Sequence, residues 1–180
     1  YSGFMTIAVW LSEQNFRNFL IFNILKRLKL YKSPVIFASI LTTSAIISFI
    51  MHSVQGAVFL GVVLLLVGLG VPIVYFTSFF SSLKKQVKQQ NLDPPRLVYT
   101  LQFDESSDVL EVTNDKEKAA YQWKDVFHAY YERDGIYLFI TQDRAFLLPF
   151  EVLTDSSEVW NLIAAKLSEA RCTRSASMAP

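Results

Sequence analysis

The side chains with chemical potential are few and widely spaced. His128, with Asp125 before it and Tyr130 after it, has the residue types of a general base with an orienting carboxylate. No second catalytic group stands near it, and a half-buried strand histidine accounts for it as well. His52 lies in a polar patch between two apolar runs, so the two histidines cannot share a metal. Cys172 is the single cysteine, which excludes an intrachain disulfide and a Cys-based zinc cluster. Within the tail Arg171–Pro180 it reads as an exposed thiol. Asp104, Glu105 and Asp108 carry oxygens suited to calcium, but they lack the alternating loop with its glycine and terminal Glu, and read as an exposed acidic turn. No glycine-rich phosphate loop, His-Glu-x-x-His or Gly-x-Ser-x-Gly occurs. The expectation is a protein without catalytic, metal or cofactor-binding residues.

The elements that would hold such groups are dominated by apolar sequence. Hydrophobic residues make up 52% of the 180, more than an ordinary soluble domain carries. From Ser33 to Leu83 there is no Asp, Glu, Lys or Arg, and the run is broken only at His52, Ser53, Gln55 and Gly56. Two spans fit inside it, Pro34–Met51 and Ala57–Phe80; at 1.5 Å per residue they cover roughly 27 and 36 Å of a hydrocarbon core near 30 Å. A signal peptide has a shorter apolar region nearer the N-terminus, and two buried core helices would need a much larger protein around them. A transmembrane hairpin is expected, with the lipid bilayer as its first partner.

Charge orients it. Residues 1–33, 84–96 and 97–180 carry net charges of +4, +3 and −6. Arg17, Lys26, Arg27, Lys29 and Lys32 precede the first span, Lys84, Lys85 and Lys88 follow the second, and the loop between has no Lys or Arg. The positive-inside rule then puts both termini in the cytoplasm. With no charge inside the spans, an ion or proton path is disfavoured. Gly61, Gly68, Gly70 and Pro72 mark the second span as a helix-packing face with an expected kink at Pro72. Its partner is either the Ser39, Thr42, Thr43 and Ser48 side of the first span or a second copy, which would make a homo-oligomer.

Around the spans the texture alternates. Met5–Leu11 places Met5, Ile7, Val9 and Leu11 on one face, as a strand does. Ser12 is a candidate N-cap for a helix through Tyr31 whose basic last turns suit the negative end of its dipole. Its apolar residues form no single stripe, so a helix at the bilayer surface with protein on its other side is expected. Beyond a polar linker ending in Asp93-Pro94-Pro95, six strands are predicted: Leu97–Phe103, Val109–Thr113, Ala119–Trp123, Val126–Glu132, Ile136–Thr141 and Ala145–Phe150. Asp155 and Glu158 then form a capping-box pattern opening a helix to about Ala170, with Val159, Trp160, Ile163 and Leu167 on one face.

Six strands and a terminal helix are one strand short of a pleckstrin-homology-like half-barrel, and Met5–Leu11 can supply the seventh. The order of strand, helix opening Leu-Ser-Glu-Gln-Asn-Phe, two spans and a β segment containing Tyr121-Gln-Trp123-Lys-Asp-Val126, Gly135-Ile-Tyr-Leu138 and Leu148-Pro149 resembles the bacterial YcxB-like family. The likeness covers most of residues 5–168. It implies an α+β membrane protein: a two-helix transmembrane hairpin carrying an antiparallel half-barrel capped by a C-terminal helix, in the bacterial cytoplasmic (inner) membrane. It brings no established activity and no catalytic residues. The expected segments are 1–33 (strand and basic juxtamembrane helix), 34–83 (hairpin), 84–96 (linker), 97–170 (β domain) and 171–180 (tail).

The function expected from these features is a non-catalytic interaction module that binds a protein or peptide at the inner membrane face, where an exposed sheet edge can take an added strand. An immunity-like protective membrane protein is the alternative, and an enzyme using His128 is a further one. The acidic turn Asp104–Asp108, the first hairpin when Met5–Leu11 is counted as an added strand, repels anionic headgroups. Net −6 in the β segment likewise disfavours nucleic acid.

Overall fold

The computed structural model describes residues 5–27, 29, 32–92 and 94–174. The chain forms two compact units, one from residues 20–89 and the other from the segments 1–19 and 90–180.

In the β unit the alternating runs become β1 (Met5–Leu11), β2 (Arg96–Phe103), β3 (Val109–Thr113), β4 (Lys118–Gln122), β5 (His128–Tyr131), β6 (Gly135–Phe139) and β7 (Ala145–Pro149). The first four form one antiparallel sheet in chain order. The other three form a second, in which an additional strand, β8 (Cys172–Arg174), lies parallel to β5. β1 finds its partner across the apolar hairpin: Met5 pairs with Phe103 and Leu11 with Arg96. Its Ile7, Val9 and Leu11 are buried while Thr6, Ala8 and Trp10 are exposed, the period-two pattern of a strand with one wet face. Val9, Leu101, Leu110, Ile136, Leu148 and Ile163 are wholly enclosed, so both sheets and the last helix share one core.

That helix is α4 (Ser156–Lys166), opened by Asp155, whose side chain accepts from the Glu158 N–H at 3.1 Å. It ends four residues before the expected Ala170, where Leu167 is already extended (ψ 153°) and a 3-10 turn, Glu169–Arg171, leads into β8. Trp123 also departs from expectation. It opens a 3-10 turn, Trp123–Asp125, instead of closing a strand, and its ring meets Phe103 edge-on at 5.5 Å. At Gly135 the backbone of β7 passes so close that an added Cβ would sit 2.6 Å from the Leu148 carbonyl oxygen, which leaves room only for hydrogen.

Helix α1 (Glu13–Phe22) is capped reciprocally: Asn15 N–H donates to Ser12 Oγ and Ser12 N–H to Asn15 Oδ1. Phe19 sets its ring 5.3 Å from Tyr137 and 5.8 Å from Phe139. β6 is therefore covered on both faces, Ile136 and Leu138 by the core and Tyr137 and Phe139 by α1, which is why no residue of that strand is exposed. The expected helix to Tyr31 is corrected as far as Lys29: α1 gives way to a π-helical turn, Asn23–Arg27, and Lys29 is left-handed (φ 52°), while Leu28, Leu30 and Tyr31 lie outside the described residues.

The helical unit pairs α2 (Lys32–Ile50) with α3 (Ala57–Gln89) through a turn at Gly56, whose φ of 82° glycine adopts without strain. α3 runs unbroken through Pro72 and past the apolar span to Gln89. The first part of the expected linker, with Lys84, Lys85 and Lys88, is thus helical, and Asn91 (φ 54°) terminates it.

Candidate interaction surface

The hairpin's small residues divide. A Cβ at Gly61 would lie 2.9 Å from the Phe49 ring, and one at Gly68 would lie 3.0 Å from Leu41 Cβ, so these two permit close approach of α2. Gly70 has nothing within 4 Å and opens outward beside Leu66, Val67, Val71 and Val74. Pro72 is half-buried in α3. On α2 the contacts fall at Leu41, Thr42 and Phe49; of the other expected residues Ser48 is half-buried, whereas Ser39 and Thr43 are exposed. Ser39 instead returns its hydroxyl to the Val35 carbonyl at 2.9 Å. The antiparallel pairing brings Lys32, at the start of α2, to the same end as Lys84, Lys85 and Lys88, and all four are exposed. Lys26, Arg27 and Lys29 lie just before α2; Arg17 is exposed on α1.

In the β unit the sheet edges are managed one by one. β7 is an edge strand, and at Leu147 its free groups are satisfied by Tyr99 on the other sheet. The Tyr99 hydroxyl donates to the Leu147 carbonyl at 2.8 Å and accepts from the Leu147 N–H. Burial pushes the pKa of this phenol well above the tyrosine range, with the bond to Leu147 opposing. Tyr137 is pushed up in the same way, by burial first and then by Asp134 and Glu132. β4 is the edge of the first sheet, with Lys118, Ala120 and Gln122 exposed.

The edge of β5 is filled by β8. Ala129 pairs with Cys172, Tyr130 with Thr173 and Tyr131 with Arg174. His128 Nε2 is 2.7 Å from Thr173 Oγ1 and its ring lies 4.4 Å from that of Tyr130, so the histidine is a strand-pairing residue. The Arg174 guanidinium stands 4.8 Å from the centre of the Tyr131 ring. Cys172 is half-buried, correcting the exposed thiol expected of a tail. Burial raises its pKa, and nearby Arg171 works the other way.

Between the end of β4 and the end of α4 lies a cleft of about 640 Å³ lined by Asp108, Gln122, Trp123, Lys124, Lys166 and Arg171. Its cations act as braces. Arg171 Nη1 donates to the carbonyls of Trp123, Lys124 and Val126 at 3.4, 3.0 and 2.7 Å. Lys166 Nζ reaches those of Glu105 and Ser107 at 2.6 Å each. The acidic turn is held from within by Asp104, whose Oδ1 accepts from Ser106 Oγ and the Ser107 N–H. It joins β2 to β3 and is the first hairpin when β1 is counted as an added strand; β1 and β2 are connected through the helical segments. Among the described residues no three His, Cys, Asp or Glu side chains gather as a metal site requires. Sequence reading found His128 but missed Thr173, Arg174 and Arg171 because a three-residue strand leaves no periodicity to detect.

No curated protein and no solved structure matches the chain. Residues 106–166, from the acidic turn to the end of α4, match the model of the family described as YcxB-like protein, the family that the order of segments in the sequence resembles.

Proposed function

We propose that the chain is a membrane-anchored, non-catalytic interaction module: its helical hairpin crosses the bacterial cytoplasmic membrane with both termini inside, and its β unit binds a protein or peptide there. The observation that carries this reading is the bare surface of the hairpin. α2 and α3 are long and apolar enough to span, yet only 6% and 11% of their most apolar windows are buried. Ile40, Ile50, Phe59, Leu66, Ile73 and Val74 are each more than half exposed, an apolar surface that water does not tolerate and lipid does. Basic residues at one end of the hairpin and none in its turn support the orientation. Four strands, then three, then a helix is the order of a pleckstrin-homology-like half-barrel, and β8 is extra to it. A sheet with an accessible edge suits recognition by strand addition.

Cysteine at Gln55 in intact cells is the direct test. It should react with an impermeant thiol reagent added outside, while Cys172 reacts only after lysis. The reverse labelling, or release of the protein from membranes by alkaline carbonate, would sink the reading.

A further inference from the structure

β1 to β4 and β5 to β7 each pair antiparallel in chain order, and β8 breaks the pattern. It comes after the closing helix and enters parallel to β5. We infer that the β5 edge is the docking site of the module, a deepening that rests on the interaction reading above. Cys172–Arg174 fills this edge in cis, in the place of a partner's extended segment carrying a small side chain, a hydroxyl and a cation in that order.

Three observations lead there. The first is length: β8 has three residues where the other strands have four to eight, its pairing is parallel, and Thr173 and Arg174 are exposed. The second is that its side chains are read individually. Cys172 is paired with Ala129, Thr173 Oγ1 meets His128 Nε2, and Arg174 lies over Tyr131. Successive residues thus address alternate faces, as side chains of an added strand do. The third is the root of the segment. The three carbonyl bonds of Arg171 are made to the turn between β4 and β5, so the chain stays anchored there when the residues beyond it peel away. A segment tethered this close competes at high effective concentration, and a partner's apparent affinity falls by the fraction of time the edge is open.

The test uses the full chain in phospholipid nanodiscs and a fluorescein-labelled peptide with the sequence of residues 169–174, its cysteine replaced by alanine. A chain carrying Thr173→Val and Arg174→Glu keeps Arg171 but loses both cis contacts. It should bind the peptide at least 10-fold tighter than the unaltered chain by anisotropy, and a chain ending at Arg171 should do the same. A peptide bearing the same two changes should bind at least 10-fold more weakly. Equal, weak binding by all three chains overturns the inference, as does dimerisation of the released chain without peptide uptake, which assigns the edge to a second copy. A photo-crosslinker at Lys118 in native membranes separates failure of the docking site from failure of the module. If it captures a partner while the released chains ignore the peptide, the module stands and the docking site is wrong; if nothing is captured and nothing binds, both fall.

Discussion

Val9 tests whether the β unit is built from both ends of the chain. It has no exposed surface, lies on β1 opposite Tyr99, and belongs to a strand separated from its partner by the whole hairpin. Val9→Asp forfeits about 2 kcal/mol of apolar burial and places a carboxylate where the neighbours are hydrocarbon. Together these should cost on the order of 4 kcal/mol, a large share of the roughly 5–15 kcal/mol that holds a domain folded. Ala8→Asp on the same strand points to solvent and should change stability by no more than about 0.5 kcal/mol. Urea unfolding of the purified chain in detergent, followed by the fluorescence of buried Trp123 and Trp160, reads both variants against the parent. Equal midpoints for the two variants would mean that β1 contributes no buried face to the β unit.

Three further outcomes are expected. Tyr99→Phe leaves the Leu147 amide and carbonyl unpaired at a buried edge and should cost about 1–3 kcal/mol in the same titration. Because burial raises the Tyr99 pKa, its contribution is fully present below the unfolded value near pH 10 and is lost as pH rises beyond it. Between pH 8 and pH 11 the parent should therefore lose more stability than Tyr99→Phe, and equal losses would contradict the assignment. In the hairpin, the Cβ of Gly68→Ala meets Leu41 and should destabilise the helix pair by about 1–3 kcal/mol, whereas that of Gly70→Ala meets nothing within 4 Å and should be near neutral, as measured by helix content during titration with a denaturing detergent. The Cys172 thiol, raised by burial, should alkylate with iodoacetamide at neutral pH at least several-fold more slowly than in the urea-unfolded chain, an order-of-magnitude expectation from thiolate fraction; equal rates would place the residue in solvent.

Much of this architecture was legible because burial leaves a period. β1 to β7 lie within two residues of the runs read from alternation, and the Asp155 cap was visible from its spacing to Glu158. What escaped reading lacks a local signature. The helical segment beyond α1 gives out by a left-handed Lys29, and lysine does not announce that conformation. The last turns of α3 are polar, so hydropathy ended the helix at Phe80 although nothing before Asn91 breaks it. Gly61 and Gly70 look alike in sequence and differ only in which side of α3 they occupy. β8 is shorter than any pattern window, and the residues that hold it, Arg171, His128 and Tyr131, are far apart in the chain or point to other roles by type.

The connection between β1 and β2 sets the order in which the β unit can be completed. Leu11 and Arg96 are paired neighbours on adjacent strands, where a soluble sheet would need a turn of a few residues, and the chain places the helical hairpin between them. The chain leaves the sheet at the end of β1 and returns at the start of β2, so the two paired strands are joined only through residues 12–95. The same arrangement explains why β1 carries a fully buried face despite its distance in sequence: the strand pair is completed only when residues on both sides of the hairpin are in hand. Folding of the β unit is therefore tied to completion of the hairpin, because β1 emerges first and its partner exists only after α3 has been made. The long loop this closes carries an entropic cost that rises only slowly with length. A preformed helix pair reduces it further by holding the two returning segments on the same side of the hairpin turn.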